Sequence, residues 1–165
     1  MNLGLLLLRL VVGLSFAAHG AQKLFGWFGG YGLENTGRGF EQLGFVPGRR
    51  HAFAAGLSEV GAGLLLASGL LTPLAGAIVF AVMLVAAVSV HGKGGFFATN
   101  GGYEYNLLIA ATAISLAFIG PGAWSLDARL GLPLGGPAWG VIAVALGGIA
   151  SVVPLLGRRT ASINH

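Results

Sequence analysis

Residues 52–92 read AFAAGLSEVGAGLLLASGLLTPLAGAIVFAVMLVAAVSVHG, and Glu59 is their one acidic or strongly basic side chain. A bilayer core of about 30 Å requires about 20 apolar residues in a helix. The stretch is long enough for two such helices, which we place at 52–71 and 73–92. Between them Pro73 stops the first helix and suits the first turn of the next. We therefore predict an antiparallel hairpin through a membrane.

Three further apolar stretches, 3–25, 104–120 and 138–156, approach the same length. Of the 165 residues 55% are hydrophobic and 8% charged, whereas about 25% of a soluble domain is charged. We therefore predict an all-α transmembrane helical bundle that forms a single domain over residues 1–165. The N-terminus carries no basic segment before its apolar run, and we interpret it as a retained first helix rather than a signal peptide.

The basic residues indicate the orientation. We expect residues 26–50 to lie on the membrane as a lid, because their aromatic side chains favour the headgroup level. If all five stretches span, the lid, the loop 92–103 and the C-terminal tail share one face, which the excess of Lys and Arg predicts to be cytoplasmic. The N-terminus would then lie outside a bacterial inner membrane, whereas omitting the fifth span would move the tail outside. The basic residues of that face are Arg38, Arg49, Arg50, Lys93, Arg158 and Arg159.

Composition also restricts the partners. We attribute the net charge of +4 to loops that contact lipid head groups, and not to binding of nucleic acid. The chain has no cysteine, which excludes thiolate metal sites, iron–sulfur clusters and thiol redox chemistry within this chain. Redox work would therefore need a borrowed cofactor or a redox partner protein, and a homo-oligomer stays open.

Ionisable side chains inside the apolar stretches are the candidates for function, since each costs about 2.5–3.5 kcal/mol at the membrane centre. On the first helix, Lys23 lies about 40° and His19 about 80° around from Arg9, so one side carries all three. His19 is about 9 Å from the cytoplasmic end of the first helix, and Glu59 is about 11 Å from the cytoplasmic end of the second helix. This common depth predicts that His19 and Glu59 meet.

Further polar residues are expected at the same end of the bundle, where the third helix ends and the fourth begins. Together they form a candidate site with proton-exchanging and ligand-contacting members. The candidate catalytic residues are His19, Lys23, Glu59, His91 and Glu104, and the candidate cofactor contacts are His19, Glu59, Tyr105, Phe25 and Trp27.

Each candidate has a purely structural alternative. Lys23 could extend its amine to the membrane surface, and Glu104 could stabilise the start of a helix. Arg9 is expected to form a structural ion pair with Asp127 at the opposite end of the bundle. His51 and His165 are expected to be solvated.

A metal or haem is the weaker interpretation of the histidines. Two imidazoles on facing helices can hold a haem, but His91 lies at a helix end rather than a turn inside it. A metal site built from His19, Glu59 and His91 has no further support in the sequence. We therefore assign no metal and disfavour haem.

A series of short motifs runs from residue 3 to about residue 127. In order, these are Leu7-Leu8-Arg9, Gly13, His19-Gly20, Gln22 to Gly26, Glu59 with Gly63, the turn Gly69 to Pro73, Met83, His91, Phe96-Phe97, Gly102, Glu104-Tyr105-Asn106, Gly120 to Gly122 and Ser125 to Asp127. In order and spacing the sequence resembles the DoxX family of small bacterial and archaeal membrane proteins. The resemblance implies a four-helix core, to which 138–156 adds a fifth helix.

The resemblance also implies a redox setting. Members of the family are similar to subunits of thiosulfate:quinone oxidoreductase, and others are linked to membrane complexes for defence against oxidative stress. We therefore expect an oxidoreductase-associated subunit that takes electrons from a partner protein. A lipid-soluble quinone would be hydrogen-bonded by His19 and Glu59, with His91, Glu104 and Lys23 relaying protons. The rival is a non-catalytic scaffold or small-solute carrier whose polar network fixes helix packing.

Overall fold

The computed structural model describes residues 2–159, and within that range its regular structure is entirely helical. This confirms the predicted all-α bundle, while His165 lies outside the described residues. A π-helical turn, Ala87–His91, extends the fourth helix toward the next loop. The helices are α1 Asn2–Phe25, α2 Gly32–Gln42, α3 Gly48–Ser68, α4 Thr72–Ala86, α5 Glu104–Ile119, α6 Leu126–Arg129 and α7 Pro137–Leu156.

Four helices of this range are long and apolar enough to cross a membrane: Asn2–Phe25, Gly48–Ser68, Thr72–Gly94 and Pro137–Leu156. The apolar helix α5 has 16 residues, which at 1.5 Å per residue gives about 24 Å. It nevertheless runs the length of the bundle. The loop before it is bonded to the end of the π-helical turn, and the loop after it is bonded to Asn2.

The chain therefore runs five times between two ends, which we call the N-terminal end and the basic end. The N-terminal end holds Asn2, the turn 69–71 and the segment 120–136. At the basic end the backbone N–H of Arg159 donates to the carbonyl of Gly44 at 2.8 Å, which places the tail beside the lid. The basic residues assigned to one face from the sequence, Arg38, Arg49, Arg50, Lys93, Arg158 and Arg159, lie in segments of this end.

The lid 26–50 contains regular secondary structure. It contains a short 3-10 turn, Trp27–Gly29, and the amphipathic helix α2. Helix α3 begins at Gly48, earlier than the predicted residue 52, with Pro47 as its N-cap. Its first turn is polar because it lies outside the apolar layer, and hydropathy therefore places the start too late.

The turn between α3 and α4 is held by Asp127. Gly69 ends α3 with a φ of 65°, and Leu71 has a φ of 49°. The Asp127 carboxylate accepts hydrogen bonds from the backbone N–H groups of Leu71 and Thr72, at 2.7 and 3.0 Å, and from the Thr72 hydroxyl at 2.8 Å. A carboxylate at this position satisfies the free N–H groups at the start of α4 and matches the helix dipole.

Helices α1 and α3 approach each other through glycines. A Cβ atom on Gly13 would lie 2.5 Å from the carbonyl oxygen of Gly63, and one on Gly20 would lie 2.5 Å from that of Gly56. These distances are too short for any side chain. Small residues permit such backbone contact between membrane helices, where packing rather than the hydrophobic effect holds the helices together.

Replacement of Gly63 by alanine should therefore loosen the bundle. The added methyl group would lie 2.5 Å from the Gly13 carbonyl oxygen, and overpacking of this kind costs about 1–3 kcal/mol. A thermal unfolding scan in detergent should show a lower Tm for Gly63→Ala. Gly61→Ala, on the same helix, is the matched control because nothing lies within 4 Å of its Cβ position. Equal midpoints for the two variants would contradict the close contact.

Candidate functional site

A cavity of about 760 Å³ lies inside the half of the bundle that adjoins the basic end. All five long helices and the lid contribute to its wall, which is mainly apolar. Apolar cavities with a few polar groups are the usual form of a small-molecule site. The polar residues on the wall are His19, Lys23, His51, Ser58, Glu59, Ser89, His91, Tyr105 and Asn106.

Lys23 and Glu59 form the charged centre of this wall. The Lys23 ammonium donates to a Glu59 carboxylate oxygen at 2.6 Å, and the Glu59 side chain is only 4% exposed. Lys23 thus turns inward instead of extending to the membrane surface. His19 lies on the same wall, but its hydrogen bond goes to Gln22 at 3.1 Å. A full positive charge compensates a buried carboxylate better than a neutral ring does, which explains why Lys23 takes the place predicted for His19.

The two candidate histidines are oriented by acceptors. His91 Nδ1 is 2.9 Å from the Gly101 carbonyl oxygen, and His19 Nδ1 is 3.1 Å from the Gln22 amide oxygen. Since a carbonyl oxygen only accepts, each Nδ1 carries the proton, and Nε2 of the neutral ring is an acceptor. Each neutral imidazole can therefore accept a hydrogen bond at Nε2.

Three predicted site residues lie off the cavity wall. The Glu104 carboxylate accepts the backbone N–H of Ala98 at 3.0 Å and so holds the loop 92–103. Phe25 and Trp27 contact each other with ring centroids 5.0 Å apart, and about 60% of each side chain is exposed. Phe25 follows Lys23 by two positions, about 200° around the helix, and therefore faces away from the cavity.

The predicted ion pair of Arg9 and Asp127 is not formed. Arg9 is fully buried, and its guanidinium donates to the Trp124 carbonyl oxygen. Asp127 instead binds the start of α4, where three donors converge on its carboxylate. Both residues still tie the N-terminal end together, but through backbone groups. Within residues 2–159, side-chain ion pairs up to 4.0 Å join Lys23 to Glu59 and Arg49 to Glu34.

Several wall residues were missed from the sequence. His51, expected to be solvated, lines the cavity and packs on Phe45 with ring centroids 5.5 Å apart. Asn106 is buried and donates to the Met83 sulfur at 3.7 Å. An amide in the first turn of an apolar helix is a signal that could have identified Asn106. The serines of the wall have no such signal, because serine is common in membrane helices.

A second cavity, of about 660 Å³, lies between α1 and α2 at the basic end, and we call it the vestibule. Its wall carries several polar side chains, including that of Arg38, and no carboxylate of the described residues lines it. His19, Lys23, Phe40 and Leu43 belong to the walls of both cavities. His19 and Lys23 therefore stand between the basic end and the inner cavity.

The arrangement suits hydrogen bonding and proton exchange with a ligand. It offers one carboxylate, one ammonium group and several imidazoles around an apolar space, and such groups act as general acids and bases. Within residues 2–159, no three His, Asp or Glu side chains are grouped so that they could hold a metal ion.

Comparisons with known proteins identify the relatives of this chain. The sequence model of the DoxX family matches residues 4–92. The chain is 32% identical over 127 residues to CatD of Bacillus subtilis (strain 168), which is described as a provisional oxidoreductase; the match covers 76% of this chain and 86% of CatD. No solved structure matches the chain.

Removal of the Lys23 ammonium should destabilise the bundle. Lys23→Met leaves the Glu59 carboxylate buried without its partner, and breaking a buried pair in this way costs about 3–5 kcal/mol. Combining Lys23→Met with Glu59→Gln should recover much of that loss, because the buried charge is gone. Reversible unfolding in detergent mixtures at neutral pH measures the free energies of the single and double variants.

The exposed pair of Arg49 and Glu34 is the control, with side chains 66% and 71% exposed. Arg49→Met should change the free energy of unfolding by no more than about 1 kcal/mol, as for surface ion pairs in general. Additive effects of Lys23→Met and Glu59→Gln would show that the two side chains are not coupled.

Proposed function

Since this chain belongs to the DoxX family, we propose that it is a redox-associated membrane subunit whose inner cavity binds an isoprenoid quinone. The observation that carries the proposal is the buried Lys23–Glu59 pair on the wall of an apolar cavity inside a membrane bundle. Buried charges in a membrane protein are costly and usually serve a function. The oxidoreductase name of CatD supports the redox setting.

The wall matches the polarity of a quinone. A quinone head group presents two carbonyl oxygens on an otherwise apolar ring, and so needs donors in apolar surroundings. Lys23, Tyr105 and Asn106 can donate to these oxygens, while Phe16, Ile78 and Ile109 supply apolar contact. A small number of polar groups that fix orientation within an apolar pocket is the usual basis of such recognition.

The protein's part in the reaction would be to move protons. Reduction of a quinone consumes two electrons and two protons, and because the chain has no cysteine the electrons would come from a redox partner protein. His19 and Lys23 can draw protons from the vestibule, because both line it and the inner cavity. His91 can accept or return a proton at Nε2. Glu104 has no part in this relay because its carboxylate holds the loop 92–103.

The proposed orientation follows from charge. We place the chain in a bacterial inner membrane with the basic end in the cytoplasm and the N-terminal end outside, as the excess of Lys and Arg in the loops of the basic end favours. The vestibule would then take its protons from the cytoplasm. A redox partner would dock at the same end, where it would be closest to the polar part of the cavity.

Binding of a quinone provides the test. The purified chain in lipid nanodiscs should bind short-tailed analogues of ubiquinone or menaquinone saturably, as measured by quenching of tryptophan fluorescence or by calorimetry. Glu59→Gln should weaken this binding about tenfold or more, equivalent to about 1.4 kcal/mol, because Lys23 loses the partner that positions it.

Glu34→Gln makes the same chemical change at an exposed site outside the cavity and should bind as the wild type does. Thermal unfolding of each variant shows whether the bundle is intact. A folded wild type with no saturable quinone binding would refute the proposal and favour a scaffold or small-solute carrier.

A further inference from the structure

The inner cavity extends well beyond its polar wall. Its volume of about 760 Å³ lies in the upper part of the range of about 300–1,000 Å³ for pockets that enclose whole drug-sized ligands. The polar groups Lys23, His91 and Tyr105 come from α1, the π-helical turn after α4 and the start of α5. The wall formed by α4 and α7 is apolar and includes Ala81, Val82, Val85, Ala150 and Pro154, whereas α3 contributes Ala54 and Ala55 together with His51, Ser58 and Glu59.

A cleft separates α3 from α7 at this apolar wall. Both helices pack on α4 but not closely on each other. Ala54 and Ala150 line the cavity and are also exposed, as expected if the cavity opens between these helices. Pro154 lies inside α7 at this level, and because it lacks an N–H it cannot donate a hydrogen bond to the Ala150 carbonyl oxygen. The small side chains leave room for an inserted chain.

The lid closes this cleft toward the basic end. Phe45 is only 2% exposed, and its ring packs on those of Phe40 and His51. The Arg158 guanidinium lies 5.8 Å from the Phe45 ring centroid and donates to the Leu43 carbonyl oxygen. These contacts cover the cleft at its basic end, so an opening would face sideways, between the apolar exteriors of α3 and α7.

We infer that the cleft between α3 and α7 holds the polyisoprenoid tail of the quinone and leads it into the bilayer, while the ring lies against Lys23 and Glu59. The inference rests on the proposed function and assigns the ligand class as long-tailed. α7 lines the cleft with the apolar Ala150 and Pro154, whereas polar side chains line the gap between α1 and α5 from both helices, His19 on α1 and Tyr105 on α5, so the cleft suits the tail better. Lipid chains are as apolar as the tail, so the tail gains little from apolar contact with the cleft. The cleft would instead hold the tail by its shape, and in this way fix the direction of the ring.

Blocking the cleft should separate quinones by tail length. Ala150→Trp fills the cleft, so a quinone with a long polyisoprenoid tail should bind about tenfold or more weakly. The same ring with a single isoprenoid unit should bind the variant as it binds the wild type. Dissociation constants for both quinones in nanodiscs give the comparison. Ala145→Trp is the matched control, because Ala145 is exposed on the same helix and does not line the cavity.

The outcomes distinguish this inference from the proposed function. Short-tailed binding by the wild type, with no selective loss of the long-tailed quinone in Ala150→Trp, would overturn the tail assignment alone. Equal loss of both quinones in a folded variant would also overturn it. Failure of the wild type to bind either quinone would overturn the proposed function and the tail assignment together.

A label on the tail tests the same point without a variant. A long-tailed quinone with a diazirine at the end of its tail can be photolysed in nanodiscs with the wild-type chain. Mass spectrometry of peptides should then locate the adduct on α3 near Ala54 or on α7 near Ala150. Labelling confined to α1 or α5 would place the tail in the other gap and overturn the inference.

Discussion

The close packing of α1 on α3 is the contact on which the candidate site depends. Gly20 and Gly56 bring the two backbones together in the half of the bundle that holds the cavity. Lys23 follows Gly20 by three residues and Glu59 follows Gly56 by three, so each lies one turn from the contact. A larger residue at either glycine would separate the helices and lengthen the 2.6 Å ion pair. The glycines thus set the geometry of the charged centre although they carry no chemistry.

The N-terminal end is held by charged residues in a different way. There Arg9 binds the Trp124 carbonyl and Asp127 binds the start of α4. Each charge meets backbone groups that would otherwise remain unsatisfied in lipid, where such groups are costly. These contacts join α1, the α3–α4 turn and the segment after α5. The ends of the bundle therefore differ: one is fixed by buried polar contacts, and the other keeps a space beside its ion pair.

The sequence predicted the helical bundle well because the signal is local. Apolar length locates the long helices to within a few residues, and rotation around α1 places Lys23 and His19 on one side. The choice of partners is not local. Whether Glu59 takes His19 or Lys23, and whether Asp127 takes Arg9 or the start of α4, depends on how far neighbouring helices are displaced along their axes. Periodicity in one helix carries no information on that displacement.

The same limit explains the errors at the aromatic residues. Phe25 and Trp27 are aromatic, as residues that line ligand sites often are, but aromatic side chains are equally suited to the membrane surface. Only the end of α1 at Phe25 distinguishes a position on the cavity wall from a position at the surface. Conversely, His51 was missed because α3 begins at Gly48 and carries this ring onto the cavity wall.

An ion pair in an apolar interior is often less stable than apolar side chains of the same volume. Stability alone therefore gives little reason for Lys23 and Glu59 to line a cavity. A ligand that needs a hydrogen-bond donor and a proton in apolar surroundings would give such a reason.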